Sequence, residues 1–143
     1  MLDLETLQEM WKTDSKLDDE LHDDDSLHIP QLHMKYSEEL TEYVIRKIDS
    51  EQKLKVLVKE KWLYYKGKAP ASVYKELPFD LKLTSKEEIN MFIEGDSEVS
   101  TLKAKIDYLQ SCINYIESIL RMINNRTYHI KNAIEWKKFK AGF

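Results

Sequence analysis

Glycine and proline are scarce, with three of each in 143 residues, about 4% of the chain against a usual share of roughly 12%. Strand corners and tight turns depend on these residues, so their scarcity weighs against sheet-rich sandwiches and barrels. The single cysteine, Cys112, rules out an internal disulfide and fits a reducing compartment. No apolar run approaches the roughly 18 residues that span a bilayer. The opening MLDLETLQEM lacks a basic stretch followed by an apolar one, so a soluble, non-secreted protein is expected. Also missing are a glycine-rich phosphate loop, a GxSxG elbow, an HExxH pair and any Cys or His pair at ligand spacing. No catalytic residue, metal or cofactor is therefore expected. His22, His28 and His33 lie near Asp23, Asp24 and Asp25, but their spacing matches no ligand pattern, and a solvated loop is the better reading.

What remains is charge and helical periodicity. Charged residues make up 34% and hydrophobic ones 42%, a mixture that suits amphipathic helices. The net charge of −4 conceals an uneven distribution. Residues 1–26 hold ten acids and two bases, 46–68 three acids and eight bases, and 121–143 one acid and six bases. Two cationic blocks in an acidic chain point to an anionic partner met by part of the surface.

Leu2, Leu4, Leu7, Met10 and Trp11 recur at helical spacing, but a helix this short needs a partner to persist. Residues 13–27, TDSKLDDELHDDDSL, read as an acidic mobile arm. Pro30 suits the first turn of a long helix running to about Lys66. Tyr36, Leu40, Val44, Ile48, Leu54, Val58, Trp62 and Tyr65 would form its apolar face. Gly67 supplies a stop, and Pro70 and Pro78 bracket a loop. Phe79, Leu81 and Leu83 alternate, which allows a short strand. Ser85 or Thr84, followed by Glu87 and Glu88, starts a helix over about 85–94, Gly95 ends it, and Asp96 or Ser97 caps the next.

That last element carries the strongest pattern. Val99, Leu102, Ile106, Leu109, Ile113, Ile116, Leu120, Ile123, Thr127, Ile130 and Ile134 alternate three and four apart, a heptad repeat with one polar lapse. Tyr108, Cys112, Tyr115, Ile119 and Met122 repeat the spacing one position earlier, making a face too wide for one neighbour. Self-assembly through Leu109, Ile113, Ile116, Leu120, Ile123, Ile130 and Ile134 is expected. Asn124-Asn125 marks a kink or a break.

The first basic block combines Lys53, Lys55, Lys59, Lys61, Lys66 and Lys68 with Trp62, Tyr64 and Tyr65. Lysines interleaved with aromatics suit single-stranded nucleic acid, since ammonium groups neutralise phosphates and rings accept unstacked bases. Lys55, Lys59 and Lys66 share one helix edge, whereas Lys61 points about 160° away from Lys59. The competing reading is a solvated face with Trp62 and Tyr65 in the core. In the second block, lysines near a helix C-terminus also satisfy the macrodipole without any ligand.

Val58–Lys68, VKEKWLYYKGK, resembles the motif of alternate basic residues, Tyr-Tyr and Gly in the UvsY family of recombination mediators from T-even-like phages. Ile93-Glu94-Gly95-Asp96, Ile123-Asn124-Asn125-Arg126, Ile130-Lys131-Asn132 and Phe139-Lys140-Ala141-Gly142 resemble other parts of the same family. The resemblance implies a non-enzymatic protein that binds single-stranded DNA, a RecA-like recombinase and the single-stranded DNA-binding protein. It also implies a hexameric or heptameric ring working in the cytoplasm of an infected bacterium. Lys59 and Lys61 match the family's two DNA-contacting basic positions, with Lys53, Lys55, Lys66, Lys68 and Tyr65 as expected supports. Lys61 stands where the family often has Arg, which keeps charge but loses the planar fork. The expected architecture is mainly α: long amphipathic helices with a central loop, assembling as an oligomeric helical ring. Its segments would be an acidic helix and arm at 1–29, a basic DNA-binding helix and loop at 30–84, and a helical oligomerisation region at 85–143. The alternative is a coiled-coil scaffold that binds no DNA.

Overall fold

The computed structural model describes residues 2–16 and 22–142. Among the described residues six helices follow one another: α1 (Leu4–Asp14), α2 (His22–Lys66), α3 (Ala71–Glu76), α4 (Lys86–Glu94), α5 (Ser97–Asn124) and α6 (Arg126–Lys140). No strand occurs among the described residues. The chain forms two compact units, one from residues 1–45 with 110–143 and the other from 46–109. These cut across the expected segments 1–29, 30–84 and 85–143, because α1 and α6 belong to the same unit.

In the first unit, Asp3 starts α1 by accepting a hydrogen bond from the Thr6 amide at 2.7 Å, which satisfies one of the orphan donors of the first turn. The partner that so short a helix needs is present. Leu7 is fully buried, and Trp11 meets the Tyr36 ring edge-on at 5.6 Å. The Tyr36 hydroxyl donates to the Asp14 carboxylate at 2.8 Å, which also pairs with Lys35 at 2.7 Å. Burial first, then this bond to Asp14, pushes the Tyr36 hydroxyl well above its ordinary pKa. Arg126 is buried, and its guanidinium donates to the carbonyls of Asp14 and Lys16 at 2.9 and 2.8 Å. A cation on the last carbonyls of a helix complements its dipole, so Arg126 ties α1 to the start of α6.

The seam residues Leu109, Ile113, Ile116, Ile123 and Ile130 are buried within the single chain, as are Cys112 and Ile119 from the offset stripe. Covered in this way, they leave little surface for another copy to meet. The double stripe is wide because the chain's own elements cover it, and in the first unit Leu7, Tyr36 and Tyr43 are buried along with it. Leu120 is half-buried, and only Ile134 of the expected set is exposed. Asn125 separates α5 from α6 while keeping right-handed helical angles, so the chain breaks for a single residue.

The long helix starts eight residues earlier than Pro30 suggests. Pro30 lies inside α2, where it removes one backbone donor without ending the helix. Residues 22–27 of the expected arm are therefore helical, and 17–21 lie outside the described residues. The apolar face of α2 also differs from the expected one. Val44, Ile48 and Trp62 are exposed, while Tyr43 and Ser50 are buried. A straight 3.6-residue period keeps Tyr36, Tyr43, Ser50, Leu54 and Tyr65 on one side. The spacing through Val44 and Ile48 drifts away from it. Leu27, Met34, Ile45, Ile48 and Val56 are each more than half exposed, and the first three, all in the first unit, fall within about 20° of one another on the side opposite Tyr36 and Tyr43.

In the second unit, Ile89, Ile93 and Val99 form a core against Leu54, Leu57, Val58, Tyr65 and Leu83. Ser85 caps α4 by accepting from the Glu88 amide at 3.1 Å. The anticipated strand at 79–83 is absent. Phe79 and Leu83 turn inward while Leu81 is 58% exposed, whereas a strand would put all three on one face.

Candidate nucleic-acid interface

The C-terminal third of α2 carries the basic block. The helix ends at Gly67, whose φ of +81° is positive and therefore suits a residue without a Cβ. The Gly67 amide donates to the Tyr64 carbonyl and that of Lys68 to Leu63, at 3.2 and 2.9 Å, which is the Schellman arrangement of a helix end. The tip is braced by aromatic rings. Tyr64 stacks on Tyr74 at 5.3 Å, and Tyr65 meets Phe79 and Phe92 at 5.1 and 5.6 Å. The Tyr64 hydroxyl donates to the Leu77 carbonyl at 2.8 Å. Helix α3, which periodicity did not announce, supplies Tyr74, whose hydroxyl donates to the Tyr64 carbonyl at 2.7 Å.

The two alternate lysines of the motif have different surroundings. Lys61 points inward, its side chain 14% exposed, with its ammonium 3.3 Å from Asp96 and 3.4 Å from Glu98. Asp96 is also the cap of α5, one oxygen accepting from the Glu98 and Val99 amides at 2.9 and 3.2 Å. Its other oxygen accepts from the Tyr65 hydroxyl at 2.6 Å. Burial works to raise the Asp96 pKa, but the bonds from Tyr65, the Val99 amide and Lys61 outweigh it and hold the carboxyl below its usual range. Desolvation, then the bond to Asp96, pushes the Tyr65 hydroxyl well above its ordinary pKa. A single carboxylate thus fastens the tip of α2 to the start of α5.

Lys59 lies on the outer side and is exposed. Among the described residues, no carboxylate pairs with Lys55, Lys59 or Lys66. These three fall within about 40° of one another around the helix. Trp62 borders them, 37% exposed, with the Lys68 ammonium 5.7 Å from its ring centroid. Lys53 pairs with Asp49 at 2.9 Å, with both side chains well exposed, an interaction that competing ions screen readily. Of the seven residues expected to contact DNA, Lys53, Lys55, Lys59, Lys66 and Lys68 therefore lie around the outer surface of the α2 tip. Lys61 and Tyr65 belong to the Asp96 junction. Trp62, assigned to the core by periodicity, is an exposed ring beside the cations. Its signal in the sequence was its position about 60° from Lys59.

An apolar groove of about 340 Å³ opens beside this region, lined by Leu57, Leu63, Tyr64, Pro70, Val73 and Leu77. Glu60, Lys61 and Glu98 also line it, so its charged lining is two acids to one base. No cluster of three potential metal ligands occurs among the described residues, and no described helix is long and apolar enough to cross a membrane.

A family described as "Recombination, repair and ssDNA binding protein UvsY" matches residues 10–143. The chain belongs to the UvsY family. Three crystal forms of the bacteriophage T4 recombination mediator protein UvsY share its fold. The lattice type II structure superposes with a TM-score of 0.86 at 22% identity, covering 99% of this chain and 100% of that one. The type IV form gives 0.82 at 19% identity, with 97% and 99% covered, and type I gives 0.84 at 20%, with 94% and 98% covered. No curated protein sequence matches. The UvsY match takes in the whole α2 patch and the Asp96 junction.

Proposed function

We propose that this UvsY-family chain is a recombination mediator that binds single-stranded DNA through the outer edge of the α2 tip. Its role is to help a RecA-like recombinase load onto DNA covered by the single-stranded DNA-binding protein, with no chemical step of its own. The observation that carries this reading is the trio Lys55, Lys59 and Lys66, exposed or half-exposed on one edge beside Trp62, with no carboxylate paired to them among the described residues. Such cations release counterions when they neutralise phosphates, and the exposed indole offers a face to an unstacked base. Lys61 and Tyr65 act indirectly, by fixing the helix tip that presents this edge.

Each patch is small, so affinity comes from several patches acting on one strand, where the second attachment forms at high effective concentration. Assembly of several copies, in the hexamer or heptamer range, is part of this reading. Exposed apolar residues open to it include Leu27, Met34 and Ile45 in the first unit, and Ile48 and Val56 in the second. A strand held along such an assembly is a poorer lattice for the coating protein and a better start for the recombinase filament.

The same exposed α2 residues favour a second reading, a helical scaffold without DNA binding. Anisotropy of labelled oligodeoxythymidylate, titrated at low salt, separates the two. Binding that weakens with salt, with a smaller slope for Lys59→Ala, supports the mediator. No binding at low salt selects the scaffold.

A further inference from the structure

The last helix carries a second basic and aromatic surface that the α2 patch leaves unused. Tyr128, Trp136 and Phe139 are 67%, 58% and 70% exposed, and they fall within about 80° of one another around α6. The Trp136 and Phe139 rings are stacked, 20° from parallel with centroids 5.5 Å apart. The Lys140 ammonium sits 5.4 Å from the Trp136 centroid. Lys131 and Lys138, both exposed, flank the rings on one side and Lys140 on the other. Glu135, the only acid in α6, is exposed on this same face, about 20° from Tyr128 and between the rings and Lys131. Helix-dipole compensation accounts for cations in the last turn, but not for Lys131, two turns earlier, nor for three large rings left in water.

We propose that this face of α6 is a second site for single-stranded nucleic acid, with the Trp136–Phe139 stack extended by an unpaired base and Lys131, Lys138 and Lys140 on the adjoining phosphates. Stacking of this kind tolerates any base, because every base has a π-face. Charge decides the occupant. With Lys131, Lys138 and Lys140 against Glu135 the face keeps a net positive charge, which a polyanion matches and the same face of a second copy does not. The proposal rests on the reading of the chain as a single-strand binder, and adds a site on a different helix.

The test uses the full chain, with labelled oligodeoxythymidylate and an abasic strand of equal length as probes. Trp136→Leu/Phe139→Leu keeps an apolar surface but removes both stacking rings. The variant should bind the thymidylate strand between about fivefold and a hundredfold more weakly, bind the abasic strand as the wild type does, and keep its sedimenting mass. Lys131→Ala/Lys138→Ala should weaken binding to both strands and lower the salt slope by about 1.4. Unchanged affinity of the leucine variant, with Lys59→Ala impaired, overturns the α6 site and leaves the α2 reading standing. Failure of the wild type to bind either strand overturns both. A fall in sedimenting mass with Trp136→Ala/Phe139→Ala and no change in affinity per assembled copy would identify the face as an interface between copies and overturn the proposal.

Discussion

Asp96→Ala is the sharpest perturbation of the junction that presents the basic edge. The substitution removes the α5 cap, which accepts from the Glu98 and Val99 amides, a loss of about 1 kcal/mol. It also strips the acceptor from the Tyr65 hydroxyl, bonded at 2.6 Å in a partly buried site, at a cost of about 1–3 kcal/mol. Lys61 keeps Glu98 at 3.4 Å, so its charge is not abandoned. The sum is roughly 3 kcal/mol, or about 10 °C in Tm for a chain of this size. Thermal and urea unfolding followed by circular dichroism, at fixed protein concentration so that assembly does not shift the midpoint, measure it. Asp96→Asn retains an oxygen for the cap and should lose about half as much. Amide exchange in residues 60–68 should speed up in the alanine variant, since the fastening of the α2 tip is gone. Stability within about 0.5 kcal/mol of the wild type, with unchanged exchange, would refute the idea that this carboxylate holds the two helices.

The Asp96 carboxyl sits below its usual range when folded, so it contributes stability above the unfolded carboxylate pKa, about 4, and that contribution fades as pH falls through the folded value. Acid titration of stability should therefore be flatter in Asp96→Asn than in the wild type. Ile116 is fully buried in the single chain, so Ile116→Lys should lower stability by several kcal/mol, visible as lost helicity at room temperature or a much lower urea midpoint. Ile48→Asp changes a residue 52% exposed and should reduce sedimenting mass with helicity intact. The reverse pattern for these two variants would return the assembly surface to the heptad seam.

Much of the fold can be read from local chemistry. Ser85, Gly67, Gly95 and Asp96 mark the ends of helices because caps and positive φ are short-range requirements, and the structure places them there. The register of α2 was harder to read. Over 45 residues, three- and four-residue steps fit more than one face, and only packing chooses between Val44 and Tyr43. The heptad seam is ambiguous for a similar reason, since periodicity reports that a face is apolar and not whether the same chain or another copy covers it. In the candidate site, helix geometry already separated Lys61 from the Lys55, Lys59 and Lys66 edge. What the sequence could not disclose is the reason Lys61 turns inward, because Asp96 lies 35 residues away and meets it only through the fold. Helix α3 escaped notice because six residues are too few for a period.

The most direct measurement is the salt dependence of single-strand affinity for Lys59→Ala and Lys61→Ala side by side with the wild type. If Lys59 meets a phosphate and Lys61 serves the junction, Lys59→Ala lowers the slope by about 0.7 for each phosphate no longer neutralised and leaves the unfolding midpoint unchanged. Lys61→Ala then lowers the midpoint and keeps the slope. Equal reduction of slope in both variants with unaltered stability, or no reduction in either, would contradict the account.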